Sequence, residues 1–133
     1  LARVPEAKAG STYAPGKWTI KEVVGHLADT ERIMTYRALR IARGDSTPLP
    51  GFEQDDYVRA GNFGARLLTD LVSEFQDIRR TSIALFQGLE PAALLRRGTA
   101  SGVPVSVRAL AYIIAGHERH HVQVLRTLYG LAG

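Results

Sequence analysis

The chain carries four histidines, His26, His117, His120 and His121, three of them clustered between positions 117 and 121. Imidazole is the side chain that binds a divalent metal in its neutral form near pH 7. On a helix, His117 and His121 stand on one face a turn apart, a spacing that offers two nitrogens to a single ion. They fall in an apolar stripe with Leu110, Ile114, Val124 and Leu128. A histidine on an inward face must satisfy its ring nitrogens with protein partners or place one on a metal. His120 points about 100° away from His121 and reads as a flanking or outer-shell residue. His26, in a separate segment, is either a third ligand or a partly buried structural histidine. Three neutral imidazoles would leave coordination positions open, which separates a catalytic metal site from a closed structural one. A metal-bound water is then the expected nucleophile or base. The sequence has no cysteine, so disulfides, thiolate ligands and a cysteine nucleophile are excluded.

Glu31 lies inside the apolar stripe of its own segment and needs a partner there. It is placed to receive a ring N–H from a ligand histidine as an outer-shell group, to carry a proton, or to pair with Arg37 or another arginine. Asp29 falls on the opposite side and reads as solvated. Arg32, Arg37, Arg40 and Arg43 read mainly as a solvated helix face. Seventeen Lys and Arg against thirteen Asp and Glu give 17 − 13 = +4; with no interleaved aromatics, this does not call for nucleic acid. His117, Glu118 and His121 also match H-E-x-x-H, the metalloprotease helix motif. The extended motif needs Gly and His where Val124 and Thr127 stand, and no acidic residue follows His121, so a zinc protease is disfavoured. Glu118 then reads as an exposed helix residue.

Long amphipathic helices must position these residues. Thr19 is a plausible N-cap with Glu22 as its capping-box partner, and Ile20, Val23, Val24, Leu27, Met34 and Ile41 follow at helical spacing up to a terminator at Gly44. Residues 45–61 form a long connection marked by Pro48, Pro50 and Gly51. A second stripe runs through Leu67, Leu71, Phe75, Ile78 and Phe86 and ends between Gly88 and Pro91. Pro91 opens a short helix through Leu95, residues 98–104 read as a loop of small residues, and a third long helix starts at Ser106 and stops at Gly130. Residues 1–17 read as an irregular entry segment anchored by Trp18. No period-two pattern rises above the helical one. The expectation is an all-α, antiparallel bundle forming a single domain over residues 1–133. A hydrophobic content of 45% and a charged content of 23% fit a folded globular chain. The longest apolar stretch, residues 109–115, falls far below the roughly 18 residues of a membrane span. No signal peptide is visible, and a soluble, cytoplasmic protein with no membrane partner is expected.

Lys17-Trp18-Thr19-Ile20-Lys21-Glu22-Val23-Val24-Gly25-His26-Leu27, followed by Asp29-Thr30-Glu31-Arg32, resembles the DinB-like superfamily of damage-inducible and YfiT-type proteins, classed as candidate metalloenzymes. Gly116-His117-Glu118-Arg119-His120-His121 is similar to that family's last-helix motif, and Arg43-Gly44-Asp45 with Leu49-Pro50-Gly51-Phe52 to its connection. The resemblance spans residues 13–129. It implies a DinB-like four-helix bundle with one divalent ion, zinc or nickel, held by His26, His117 and His121, and no other cofactor. It also implies a small-molecule substrate, a homodimer, and activity as a thiol-dependent S-transferase or a hydrolase. Members of known activity use low-molecular-weight thiols such as bacillithiol or mycothiol. The reactive species would be metal-bound water or a cosubstrate thiol, with Glu31 as an outer-shell group. The alternative is a non-catalytic metal-binding or structural bundle involved in assembly or stress response. The chain begins where the family's first helix should be finishing, so that N-terminal helix is expected to be missing, through truncation or because a partner chain supplies it.

Overall fold

Thr19 sets where the first long helix begins. Its hydroxyl accepts the Glu22 N–H at 3.1 Å, and the Glu22 carboxylate accepts the Thr19 N–H at 2.9 Å, which satisfies two of the helix's orphan donors reciprocally. Thr19→Ala should therefore cost about 1 kcal/mol of stability. A urea-unfolding midpoint that does not move would contradict this. At the far end Gly44 adopts φ +84°, a left-handed conformation that glycine takes without a Cβ penalty. Its N–H reaches the Ile41 carbonyl at 3.0 Å.

The computed structural model describes residues 4–131; residues 1–3 and 132–133, the outermost part of the 1–133 domain reading, lie outside the described residues. Its elements in chain order are α1 (Glu6–Ala9), α2 (Ile20–Ala42), α3 (Gln54–Ala60), a 3-10 turn (Phe63–Ala65), α4 (Leu68–Gln87), α5 (Pro91–Leu94), the strands β1 (Arg97–Ala100) and β2 (Val103–Ser106), and α6 (Val107–Thr127). The expected long helices and the short helix at Pro91 are all present. Within the stretch read as a long connection, α3 buries Val58. The irregular entry segment contains the single turn α1.

The central helix is α2, flanked by α4 and α6. Three buried clusters run along it: Ile20, Val23 and Val24 meet Leu68, Leu71 and Leu125; Leu27 and Ala28 meet Phe75 and Ile78; Ala38 and Ile41 meet Val107 and Leu110. In this order α6 runs antiparallel to α2, but α4 runs parallel to it. The expected all-antiparallel arrangement is thus corrected: the long connection returns the chain to the starting end of α2 before α4 begins. Phe63 fixes that return. A Cβ at Gly25 or at Gly61 would lie 2.4 Å from atoms of its ring, so the ring packs where only glycine leaves room.

The stretch read as a loop, 98–104, belongs to a two-stranded hairpin, pairing Arg97 with Ser106 through Ala100 with Val103. Its two-residue turn has Ser101 at φ +53° and Gly102 at φ +75°, the twist that matches flanking strands. Gly98 and Pro104, which argue against strands in sequence, are tolerated in a ribbon this short. Leu49 closes the outer edge of β1, donating its N–H to the Thr99 carbonyl at 2.9 Å and accepting the Ser101 N–H at 3.0 Å. Among the described residues, no helix is long and apolar enough to cross a membrane.

Candidate metal centre

The second turn of α2 and the middle of α6 face each other, and this brings His26, His117 and His121 together. Each offers one ring nitrogen, and the three nitrogens lie within 4.8 Å of one another. His26 Nε2 and His117 Nε2 are 3.0 Å apart. Donors around one ion at ordinary metal–nitrogen lengths stand about 3.0 to 3.4 Å apart, so modest side-chain rotations suffice to close the set on an ion. His26 is buried at 2% exposure, whereas His117 and His121 are half-buried. His120 is exposed, as helical phasing requires, and stays outside the convergence.

The electrostatics favour the ligand form of each ring. Burial, reinforced by the neighbouring histidines, pushes His26 down to about 3 and His121 down to about 4. Burial also lowers His117. All three are therefore neutral near pH 7, with lone pairs available to a cation. Thr30 Oγ1 lies 3.4 Å from His26 Nδ1, and a proton on Nδ1 directed there leaves Nε2 as the lone-pair nitrogen. In metal-free protein the unfolded chain gains protons on these rings near the ordinary histidine value, while the fold does not. Stability is then fully present above about pH 6.5 and is lost as pH falls toward 4. Melting temperature in the presence of a chelator should decline progressively from about pH 7.5 to pH 5; a flat profile would mean that the rings are not desolvated.

Other sequence readings need correction. Glu31 is buried at 3% exposure, and of the alternatives open in sequence it takes the pairing with an arginine other than Arg37. Arg79 on α4 donates to it from Nε at 3.1 and 3.0 Å and from Nη2 at 2.7 Å, and Ser82 donates to Oε2 at 2.7 Å. A cavity of about 10 Å³ lies between Glu31 and His117, walled also by Leu27, Thr30, Phe75 and Ile114. Glu118, read as exposed, is half-buried and paired with Arg79 Nη1 at 2.5 Å, so Arg79 joins α2, α4 and α6. Arg37, read as part of a solvated face, is 6% exposed. Asp29 is half-buried, and burial raises its carboxyl. Leu128, placed on the inward stripe, is exposed because α6 ends one residue before it.

Trp18 is a further wall of the site, with its ring centroid 4.7 Å from that of His26 and 6.4 Å from that of His121. In sequence Trp18 reads only as the anchor of the entry segment. Two open clefts flank the histidines. One, of about 440 Å³, is lined by His26, His117, Thr30, Arg37, Phe52 and Ser101. The other, of about 410 Å³, is lined by Trp18, His120, His121, Tyr13, Lys17 and Tyr129. Asp55 borders both.

Comparison with known proteins places the chain. A protein of Oceanobacillus iheyensis, provisionally named a metal-dependent hydrolase, is 25% identical over 119 residues, covering 88% of this chain and 68% of its own length. The solved structure of YfiT from Bacillus subtilis, described as a probable metal-dependent hydrolase with an unusual four-helix bundle topology, matches with a TM-score of 0.79. It does so at 16% identity, over 97% of this chain and 77% of that one, and at such identity the likeness shows the fold. The model of the DinB superfamily matches residues 1–125, and the chain belongs to that superfamily.

Proposed function

We propose that the protein is a metal-dependent hydrolase of a small-molecule substrate, with His26, His117 and His121 as the protein ligands of one divalent ion, zinc or nickel. The observation that carries this reading is the convergence of three neutral imidazoles from α2 and α6 at the border of two open clefts. Clefts of this size match small-molecule sites, and both named relatives are described as metal-dependent hydrolases. Such an ion supplies Lewis acidity, lowering the pKa of a water or thiol presented to it. The chain's own residues hold and shape the place where this happens: Thr30 orients the His26 ring, and Trp18 shields its buried side.

A thiol-dependent S-transferase is the second reading, favoured by one observation. The histidines are bordered by two separate clefts, room for a cosubstrate thiol and an electrophile in a chain that has no cysteine of its own. Elemental analysis of protein purified without a metal-affinity tag tests the metal. Fewer than about 0.1 equivalents of any transition metal, with no uptake on titration, would leave a bundle whose histidines only hydrogen-bond. Loaded protein is then assayed on activated esters with and without added low-molecular-weight thiol. Turnover without thiol supports the hydrolase, thiol-dependent turnover with a thioether product supports the transferase, and no turnover in either arm counts against both.

A further inference from the structure

The cleft next to His26 and His117 contains a buried cation that makes no salt bridge among the described residues. Arg37 on α2 is 6% exposed. Its Nη2 donates to the Pro50 carbonyl at 2.9 Å and to Ser101 Oγ at 3.2 Å, its Nη1 points at Met34 Sδ at 3.8 Å, and its guanidinium lies 5.9 Å from the Phe52 ring centroid. All of these partners are neutral. Several other arginines meet carboxylates: Arg79 meets Glu31 and Glu118, Arg40 meets Asp45, and Arg32 and Arg66 share Glu74, while the exposed Arg96 donates to the Ala42 carbonyl. A buried charge left without a counter-ion is costly. Tying Pro50 and Ser101 to α2 requires hydrogen-bond donors, not a full positive charge. Burial accordingly holds the Arg37 guanidinium below the ordinary arginine value.

We propose that Arg37 binds the carboxylate of the substrate, and that the protein acts on small molecules carrying one anionic end. Arg37 lines the same cleft as His26 and His117. His26, Thr30, Met34 and Arg37 follow one another along one face of α2. The eleven residues from His26 to Arg37 correspond to about three helical turns, roughly 16 Å between Cα atoms. A molecule that touches both ends is therefore extended, with its anionic group remote from its reactive bond. Both Nη2 protons are committed to Pro50 and Ser101, so a carboxylate would be met by the guanidinium's remaining N–H groups and its charge, and Ser101 Oγ, already an acceptor from Arg37, retains its own proton to donate. The exposed Glu53 and Asp55 on the rim leave the lining with one more negative than positive charge. Their repulsion acts about twice as strongly on a dianion such as a phosphate monoester as on a single carboxylate, so of the two the carboxylate is the better match for Arg37. For the reactive end, the inference rests on the hydrolase reading.

Calorimetric titration of the metal-loaded protein with monomethyl adipate and with dimethyl adipate tests the recognition without requiring turnover. The monoester should bind about tenfold or more tightly than the diester. Arg37→Gln, which can still donate to the Pro50 carbonyl, should erase that preference, and Arg37→Lys should keep most of it. Equal binding of both esters to the wild type would overturn the proposal, whether or not the variants fold. So would a preference that survives in a folded Arg37→Gln protein, since the carboxylate would then sit on the ion or on another cation. Arg37-dependent binding in a protein that hydrolyses no ester would sink the hydrolase reading and leave carboxylate recognition standing. Turnover of neutral and acidic esters alike, indifferent to Arg37, would do the reverse.

Discussion

His117→Ala or His121→Ala protein should retain less than about 0.1 equivalent of transition metal under conditions where the wild type holds close to one. Each ring is one of three donors, and removing one leaves two nitrogens, with no fourth His or carboxylate among the described residues in the convergent set to replace the lost bond. His26→Ala should behave likewise, because its nitrogen lies 3.0 Å from that of His117 on the opposing helix. His120→Ala is the control. Its ring is exposed and outside the convergent set, so its metal content should match the wild type. The measurement is elemental analysis of dialysed protein, with circular dichroism to confirm folding. Equal metal loss from all four variants would show that the site does not follow the convergence of ring nitrogens described above. Chelation should also lower the wild-type melting temperature, because a ligand bound only by the native state stabilises it by mass action. The three alanine variants should not respond to chelator.

The second large effect is on stability. Arg79→Met should destabilise the fold by about 3 kcal/mol or more, because the buried Glu31 carboxylate then keeps Ser82 as its remaining donor. The Glu118 arm of Arg79 is partly solvated and contributes less, about 1 kcal/mol or below. Urea unfolding of Arg79→Met, Glu31→Gln and the double variant measures the coupling. The double variant should recover part of the loss from Arg79→Met alone, since it leaves no uncompensated charge in the interior. A loss below about 1 kcal/mol for Arg79→Met would show that water reaches Glu31 and replaces its partner.

Local signals carried the helices. The Thr19–Glu22 capping box lies within four residues, so the start of α2 and the placement of His26 on it are legible directly. The same holds for the one-turn spacing of His117 and His121. The direction of α4 is not legible, because a three-and-four apolar period reads identically for parallel and antiparallel helices. The packing of Phe63 on Gly25 and of Leu68 and Leu71 on the start of α2 shows that the chain has travelled back before α4 starts. The hairpin was hidden by Gly98 and Pro104, residues that suit a loop equally well. That Glu31 needs a partner follows from its place in the stripe. Which partner does not, since Arg79 is forty-eight residues downstream. Arg32, Arg37, Arg40 and Arg43 look alike in sequence. What separates Arg37 is the cover supplied by Pro50, Phe52 and Ser101, contacts made by a distant loop and hairpin.

The ring of Phe63, wedged against Gly25 and Gly61, limits how this sequence can drift. Bulk can enter position 25 or 61 only after the aromatic ring has left position 63, so the three sites are free to change only in a fixed order. An intermediate carrying both a methyl group at 25 and the ring would have to displace the turn of α2 that presents His26. Descendants of this chain should therefore inherit the trio together or lose the phenylalanine first, and selection for the position of one imidazole becomes selection on a residue thirty-seven places away.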